Sequence, residues 1–323
     1  MNVLVTGITG RIGANLAAGL AAQGHSVRGL VWPRDPAVSK LDDLEIEFVS
    51  GSLTNCSVVN EAVAGVDAVY HLGAAFQGGG PFSEEEYFEI NVGGTFNVLE
   101  AARRQVRPPH VFFASTDAIY EKYVPGGLET RITEETPRVP KGAYAVTKSV
   151  AEELCAGYWH TYSLPVTILR FANVMAADEI LGFPQFYLSK MHERDPVLAR
   201  LWTGEEQLLL LMDPNGRYYK KHVADVRDIV HGCLCALGKE GACGETFQLA
   251  GPKPFTWDEA VYRLSEILKI PAVEAAPAGN PTFYEFDLSK AQRNLGFQPQ
   301  FDVVRMIVDG LGYQRGEDIG VRR

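Results

Sequence analysis

The 323-residue chain exceeds the usual single-domain length of about 100 to 200 residues, and its apolar and charged fractions (46% and 22%) lie near globular averages. With 40 acidic and 30 basic residues its formal net charge is -10, which repels a phosphate backbone and excludes a broad nucleic-acid footprint. Five cysteines (Cys56, Cys155, Cys233, Cys235 and Cys243) without Cys-x-x-Cys spacing read as reduced thiols, not as a metal site or a disulfide framework. No apolar run reaches the roughly 18 residues of a membrane span, and residues 2–6 (NVLVT) already read as a strand. A soluble, cytoplasmic enzyme with no membrane partner is expected.

Short β-branched runs alternate with helical patterns along the first half: NVLVT, a helix over about 11–23, SVRGLV, EIEFVS, a helix over 56–64, DAVYHL, a long helix over 86–106, and HVFFAS. A helix over about 143–162 then leads into VTILRF. Strands apolar at nearly every position suit a parallel sheet covered on both faces, so the fold class is α/β, a doubly wound parallel sheet. After Phe171 the rhythm breaks at Gly182-Phe183-Pro184, at HERDP (192–196) and at LLLLM (208–212). HVADV (222–226), the helix after it and ETFQLA (245–250) are expected to return to the sheet. The expected division is a dinucleotide-binding domain of residues 1–171 plus about 218–251, with a smaller substrate-binding lobe of 172–217 plus 252–323.

Between the first strand and first helix stands Gly7-Ile8-Thr9-Gly10-Arg11-Ile12-Gly13. Such glycines permit a tight turn and the close approach of a pyrophosphate to a helix N-terminus; the plainer reading is a turn whose glycines serve packing. Tyr144-Ala145-Val146-Thr147-Lys148 is the only Tyr-x-x-x-Lys in the chain, and positions i and i+4 share a helix face. A phenol near pKa 10 must fall by roughly 3 units, about 4 kcal/mol, to be half ionised at neutral pH. A nearby ammonium and a nicotinamide cation supply such a field, which makes Tyr144 a candidate general acid/base, against the plainer reading of an exposed Tyr beside a solvated Lys. Thr116 follows HVFFAS at the carboxyl edge of the sheet, where open α/β sheets place ligands, and its hydroxyl can bond a substrate oxygen.

These segments together resemble the extended short-chain dehydrogenases/reductases, the NAD-dependent epimerase/dehydratase family. VTGITGRIG is similar to its Thr-Gly-x-x-Gly-x-x-Gly fingerprint, VYHLGAA to its His-Leu-Ala-Ala segment and NVGGTFNVLEAA to its Asn-x-x-Gly-Thr helix. FASTDAIY resembles its Ser-Ser/Thr-x-x-Val-Tyr strand end, LRFANV its Arg-x-x-Asn-Val segment and DLSKAQRNLGFQP its C-terminal Ser-Lys-Ala element. The resemblance implies Thr116, Tyr144 and Lys148 as the catalytic triad, with Lys148 binding nicotinamide ribose and lowering the Tyr144 pKa. It implies cofactor contacts at Gly7, Gly10, Arg11, Ile12, Gly13, Arg34, Ser52, Leu53, Leu72, Ala74 and Asn91 besides Tyr144 and Lys148. Substrate contacts are implied at Thr116, Asp117, Asn173 and Arg217, although an Asn closing a strand–loop turn accounts equally for Asn173.

Departures from the family pattern bear on cofactor and substrate. Val31 stands where NAD-selective relatives carry an acidic residue and Arg34 follows, so the cofactor is NAD or NADP with a lean to NADP; the plainer reading of Arg34 is a solvated loop charge. Ser52 replaces a frequent Asp near adenine. Thr116-Asp117-Ala118 resembles the Thr-Asp-Glu of nucleotide-sugar 4,6-dehydratases but lacks the Glu. The family's diphosphate-binding arginine would fall near 218, whereas the chain has Arg217, with Lys220 or Lys221 as substitutes, and Pro277 replaces a second. Reversible hydride transfer at a secondary alcohol of a free sugar, sugar acid or polyol is therefore favoured, with a UDP-sugar epimerase as the alternative and a non-catalytic dinucleotide sensor as the alternative of another class. The helices near 86–106 and 143–162 resemble those that pair in a family homodimer. Tyr158 and Trp159 are candidate anchors there, or pack within the subunit.

Overall fold

The computed structural model describes residues 1–76 and 82–322; residues 77–81, inside the expected dinucleotide-binding segment, and Arg323 lie outside them. In chain order the first half comprises β1 (Asn2–Thr6), α1 (Arg11–Ala22), β2 (Ser26–Val31), β3 (Ile46–Ser50), α2 (Cys56–Val63) and β4 (Ala68–His71). There follow α3 (Glu84–Tyr87), a π-helical turn (Phe88–Gly93), α4 (Gly94–Arg103), β5 (His110–Thr116), α5 (Ala143–Tyr162) and β6 (Val166–Phe171). The remainder comprises β7 (Asn173–Met175), α6 (Leu188–Met191), α7 (Pro196–Leu201), β8 (Leu208–Leu211), β9 (Lys220–Lys221), β10 (Val223–Asp225) and α8 (Val226–Ala236). It ends with β11 (Thr246–Leu249), β12 (Phe255–Thr256), α9 (Trp257–Leu268), β13 (Ala272–Ala275), α10 (Ser289–Leu295) and α11 (Val303–Gln314).

Seven strands form a parallel sheet in the order β11-β6-β5-β4-β1-β2-β3. The period-2 alternation of β1 explains its double coverage: Val3 and Val5 join one apolar cluster while Leu4 joins another, all fully buried. β1 and β4 are neighbours although β2 and β3 run off in the other direction, so the loops leaving them part at the carboxyl edge. This is the switch point at which doubly wound sheets open a crevice. A third cluster, centred on Trp257, Phe186 and Leu208–Leu211, packs the segments that follow the main sheet.

Two expectations need correction. The long helix over 86–106 is broken, because a π turn at Phe88–Gly93 separates α3 from α4. The wide turn turns Asn91 inward, where it is bonded to both backbone groups of Ala75, and a Cβ on Gly94 would lie 2.9 Å from the Leu53 Cβ. HVADV does not rejoin the main sheet: β10 pairs with β7 in a separate two-stranded ladder, while ETFQLA supplies β11 at the sheet edge. After Phe171 the Ala172 amide still bonds the Leu249 carbonyl, and the chain then leaves the sheet to pair with β10.

Candidate active site

A cleft of about 960 Å³ opens along the carboxyl ends of β1, β4 and β5. Its head is the glycine loop. Gly7 needs its left-handed φ of +66°, and a Cβ there would strike the Gly73 backbone at 2.8 Å. A Cβ on Gly13 would lie 2.2 Å from the Gly7 carbonyl oxygen, so that glycine is required by the packing of α1 on the loop. Gly10 differs: its Cβ would meet only the Gly7 carbonyl oxygen at 3.2 Å, and the residue lines the cleft. The α1 N-terminus carries no side-chain cap and no acidic residue, leaving its first amides and its dipole available to an anion.

At the other end α5 brings Tyr144 and Lys148 to the cleft, and β5 brings Thr116. The Thr116 hydroxyl lies beside the Tyr144 phenol and favours its ionised form, and the Tyr144 ring meets Phe76 edge-on at 5.5 Å. Burial dominates the phenol and pushes it up to about 12 against the weaker opposing pull of Thr116. The expected lowering of Tyr144 by Lys148 does not appear among the contacts that set this group. Lys148 is itself buried, with Nζ 4.4 Å from the Phe113 ring centroid, and burial draws it down to about 8.

A buried hydrogen-bond relay holds the walls. Thr95 donates to the Asn91 carbonyl (2.6 Å), so the His71 Nε2–H donates to Thr95 Oγ1 (3.0 Å) and Nδ1 accepts from Thr6 (2.8 Å). Thr6 Oγ1 in turn accepts from the Gly73 amide at 3.0 Å. Burial holds His71 down to about 3, the neutral form this tautomer requires.

Of the expected cofactor contacts, Gly7, Gly10, Arg11, Ile12 and Gly13 line the cleft, as do Leu53, Leu72 and Ala74. Arg11 spends its guanidinium on Glu179 (2.6 Å) and the Val174 carbonyl (3.0 Å). Three others do not line it. Arg34 is exposed in a left-handed conformation (φ 62°), outside the lining, which weakens one of the two grounds for leaning to NADP, while Val31, the other, lines the cleft. Ser52 folds into its own turn, its hydroxyl 2.8 Å from Thr54 Oγ1. Asn91 acts from behind, tying the loop at Ala75 to Thr147 of α5 (3.0 Å). On the substrate side Asp117 and Asn173 line the cleft, but Arg217 turns away to Asp213 (3.1 Å), to Glu129 and onto the Phe283 ring.

Sequence reasoning missed Trp32, Phe76, Ser115 and Lys122, all of which line the cleft. The Ser115 hydroxyl is buried with no hydrogen-bond partner among the described residues. Its position one residue before Thr116 was the available signal.

The profile of the NAD dependent epimerase/dehydratase family matches residues 3–250. The chain belongs to that family. Among its relatives, UDP-glucuronate 4-epimerase 3 of Arabidopsis thaliana is 26% identical, aligned over 94% of this chain and 74% of the relative. An uncharacterized UDP-glucose epimerase of Bacillus subtilis is also 26% identical, over 97% of this chain and 98% of its own. The crystal structure of a short-chain dehydrogenase/reductase superfamily protein from Agrobacterium tumefaciens, with bound NAD, superposes with a TM-score of 0.85 at 29% identity, covering 98% of both chains. The chain is thus an NAD-dependent enzyme of the short-chain dehydrogenase/reductase type, as the resemblance implied. No helix among the described residues is long and apolar enough to cross a membrane.

Proposed function

We propose that this family member oxidises a secondary alcohol of a nucleotide-linked sugar and returns the hydride to give the epimer. The observation that carries the reaction is the meeting of Thr116, Tyr144 and Lys148 in one cleft headed by a glycine loop. Its relatives over nearly the full chain include UDP-sugar epimerases. They support a nucleotide sugar over the unlinked sugar, sugar acid or polyol favoured from sequence.

NAD suits the cleft. Gly10 leaves room at the head of α1, whose amides and dipole suit a pyrophosphate, and Lys148 stands as the ammonium for the nicotinamide ribose. When bound, oxidised NAD would supply the hydride acceptor and a positive charge that favours the Tyr144 phenolate. Thr116 then fixes the substrate hydroxyl, and Tyr144 removes its proton and later returns one. A purely sensing protein has no need of a buried Lys148 and a Tyr144 beside Thr116 in the same cleft.

A second reading, net oxidation of an unlinked sugar acid, draws support from Arg217, which is committed to Asp213 and Glu129 outside the cleft lining. A product assay separates the two. Incubation with UDP-glucuronate, UDP-glucose, glucuronate and galacturonate is expected to give a UDP-sugar epimer without accumulation of reduced cofactor. Turnover of the unlinked acids alone, with stoichiometric NADH release, would overturn the epimerase reading. We also propose a homodimer through α4 and α5. Tyr158 does not anchor it, since its phenol is buried and donates to Glu100 (2.7 Å), and the Trp159 indole lies over Gly244.

A further inference from the structure

Past the catalytic residues the cleft holds a second set of charges. Lys122 pairs with Asp117 at 2.6 Å, both side chains at most 10% exposed, and its Nζ lies 5.0 Å from the Tyr284 ring centroid. Lys221 approaches from β9. Successive side chains of a strand point to opposite sides, and here Lys220 turns to Glu285 (3.3 Å) while Lys221 turns into the cleft, 6% exposed. Among the described residues the only hydrogen bond of its ammonium is to Gln185 Oε1 at 3.3 Å, with the Phe183 ring 4.6 Å away, and no carboxylate lies within ion-pair distance of it.

The local count is two ammonium groups against one carboxylate. A buried ammonium is costly unless paired, and one neutral acceptor leaves two of its three N–H donors unused. The same cleft contains Tyr144 and Asn173, so a molecule presented to Tyr144 enters the cavity that Lys221 lines. Burial draws Lys221 down to about 8, with the neighbouring Lys122 adding to the effect and Asp117 opposing it only weakly; an arriving anion would add to the opposition.

We propose that Lys221, assisted by Lys122, is the recognition site for an anionic oxygen group, a carboxylate or a phosphate, on the substrate oxidised at Tyr144. The inference rests on the cleft being the reaction site. Carboxylate on the reacting sugar and phosphate in its linker share this chemistry and differ in which substrates feel the lysine.

The test compares the full-length protein with its Lys221→Met variant by calorimetry and steady-state kinetics, using UDP-glucuronate, UDP-glucose, glucuronate and glucose. A carboxylate partner predicts that the kcat/KM ratio of UDP-glucuronate over UDP-glucose falls about 10- to 100-fold, and glucuronate affinity with it. A phosphate partner predicts a loss of similar size for both UDP-sugars, with glucuronate unaffected. In either case NAD affinity stays the same, and the melting temperature of the ligand-free variant rises, because an uncompensated buried charge has been replaced by an apolar chain of similar volume. Changes below about twofold in every anionic probe would overturn the proposal, as would a variant that binds them normally but melts lower. Calorimetry reads the lysine without turnover: an inactive wild-type protein that binds glucuronate through Lys221 supports the site and overturns only the reaction proposed above.

Discussion

Tyr144 and Lys148 lie one turn apart on α5, and burial drives both towards the neutral form, the phenol up to about 12 and the ammonium down to about 8. Burial thus favours the protonated phenol, and the proton removal proposed above would draw on a further positive charge, which bound oxidised cofactor would supply. Tyr144→Phe keeps the ring against Phe76 and deletes only the proton carrier. Turnover is expected to fall about 100-fold or more with NAD affinity unchanged, measured by single-turnover kinetics and calorimetry; a loss below about fivefold would remove Tyr144 from the mechanism. The glycines separate folding from binding in the same way. Gly10→Val is expected to fold with an unchanged far-ultraviolet spectrum yet lose NAD binding, whereas Gly13→Val, forced onto the Gly7 carbonyl, is expected not to fold. Normal NAD affinity in Gly10→Val would remove the loop from the cofactor site. Gly10 and Tyr144 were legible because short spacings encode them. Lys122 was not, because no local pattern says that the loop after β5 curls back so that its ammonium reaches Asp117 five residues earlier.

α5 also fastens the site to the sheet. One turn beyond Lys148, Glu152 is 2% exposed and accepts a bidentate pair from Arg170 of β6 at 2.9 and 2.7 Å, with Arg138 adding a third bond at 3.1 Å. Glu152→Ala would strand the Arg170 guanidinium in the interior, so unfolding stability is expected to drop by about 3–5 kcal/mol, read as a lower urea midpoint at unchanged slope. A drop below about 1 kcal/mol would mean that the Tyr120 hydroxyl and the Glu134 carbonyl, which already accept from Arg170, satisfy it alone. Elements whose pattern is set by their own residues were legible: α5 at 143–162 and β6 at 166–171 fall where periodicity puts them. The π turn before α4 was not, since its cause is the long-range seating of Asn91 on Ala75. Nor was the β7–β10 ladder, since an apolar run of three or four residues does not say which sheet it will join.

At the scale of the whole molecule, the formal charge of -10 and an apolar stripe pull in opposite directions. Phe88 in the π turn is 57% exposed, Phe96 on α4 47%, and Val146 and Val150, a turn apart on α5, are 43% and 39% exposed. Scattered exposed apolar residues need no explanation, but these four lie on the π turn, α4 and α5, which pack side by side, away from the cleft lining. A second copy of the same face is the occupant the proposed dimer requires, and sedimentation is expected to give twice 35.4 kDa at micromolar concentration. A two-fold interface uses the same patch on both subunits, so a single substitution enters it twice. Phe96→Asp and Val150→Asp would each bury two facing carboxylates and are expected to give monomers, while Tyr158→Phe, altering a residue buried within one subunit, should leave the dimer intact. Because two copies bring together charges of the same sign, association should tighten as salt rises and the Debye length falls from about 30 Å at 0.01 M to about 8 Å at 0.15 M. A wild-type monomer at both salt concentrations would sink the dimer, and a dimer that survives both aspartates would place its interface on another face.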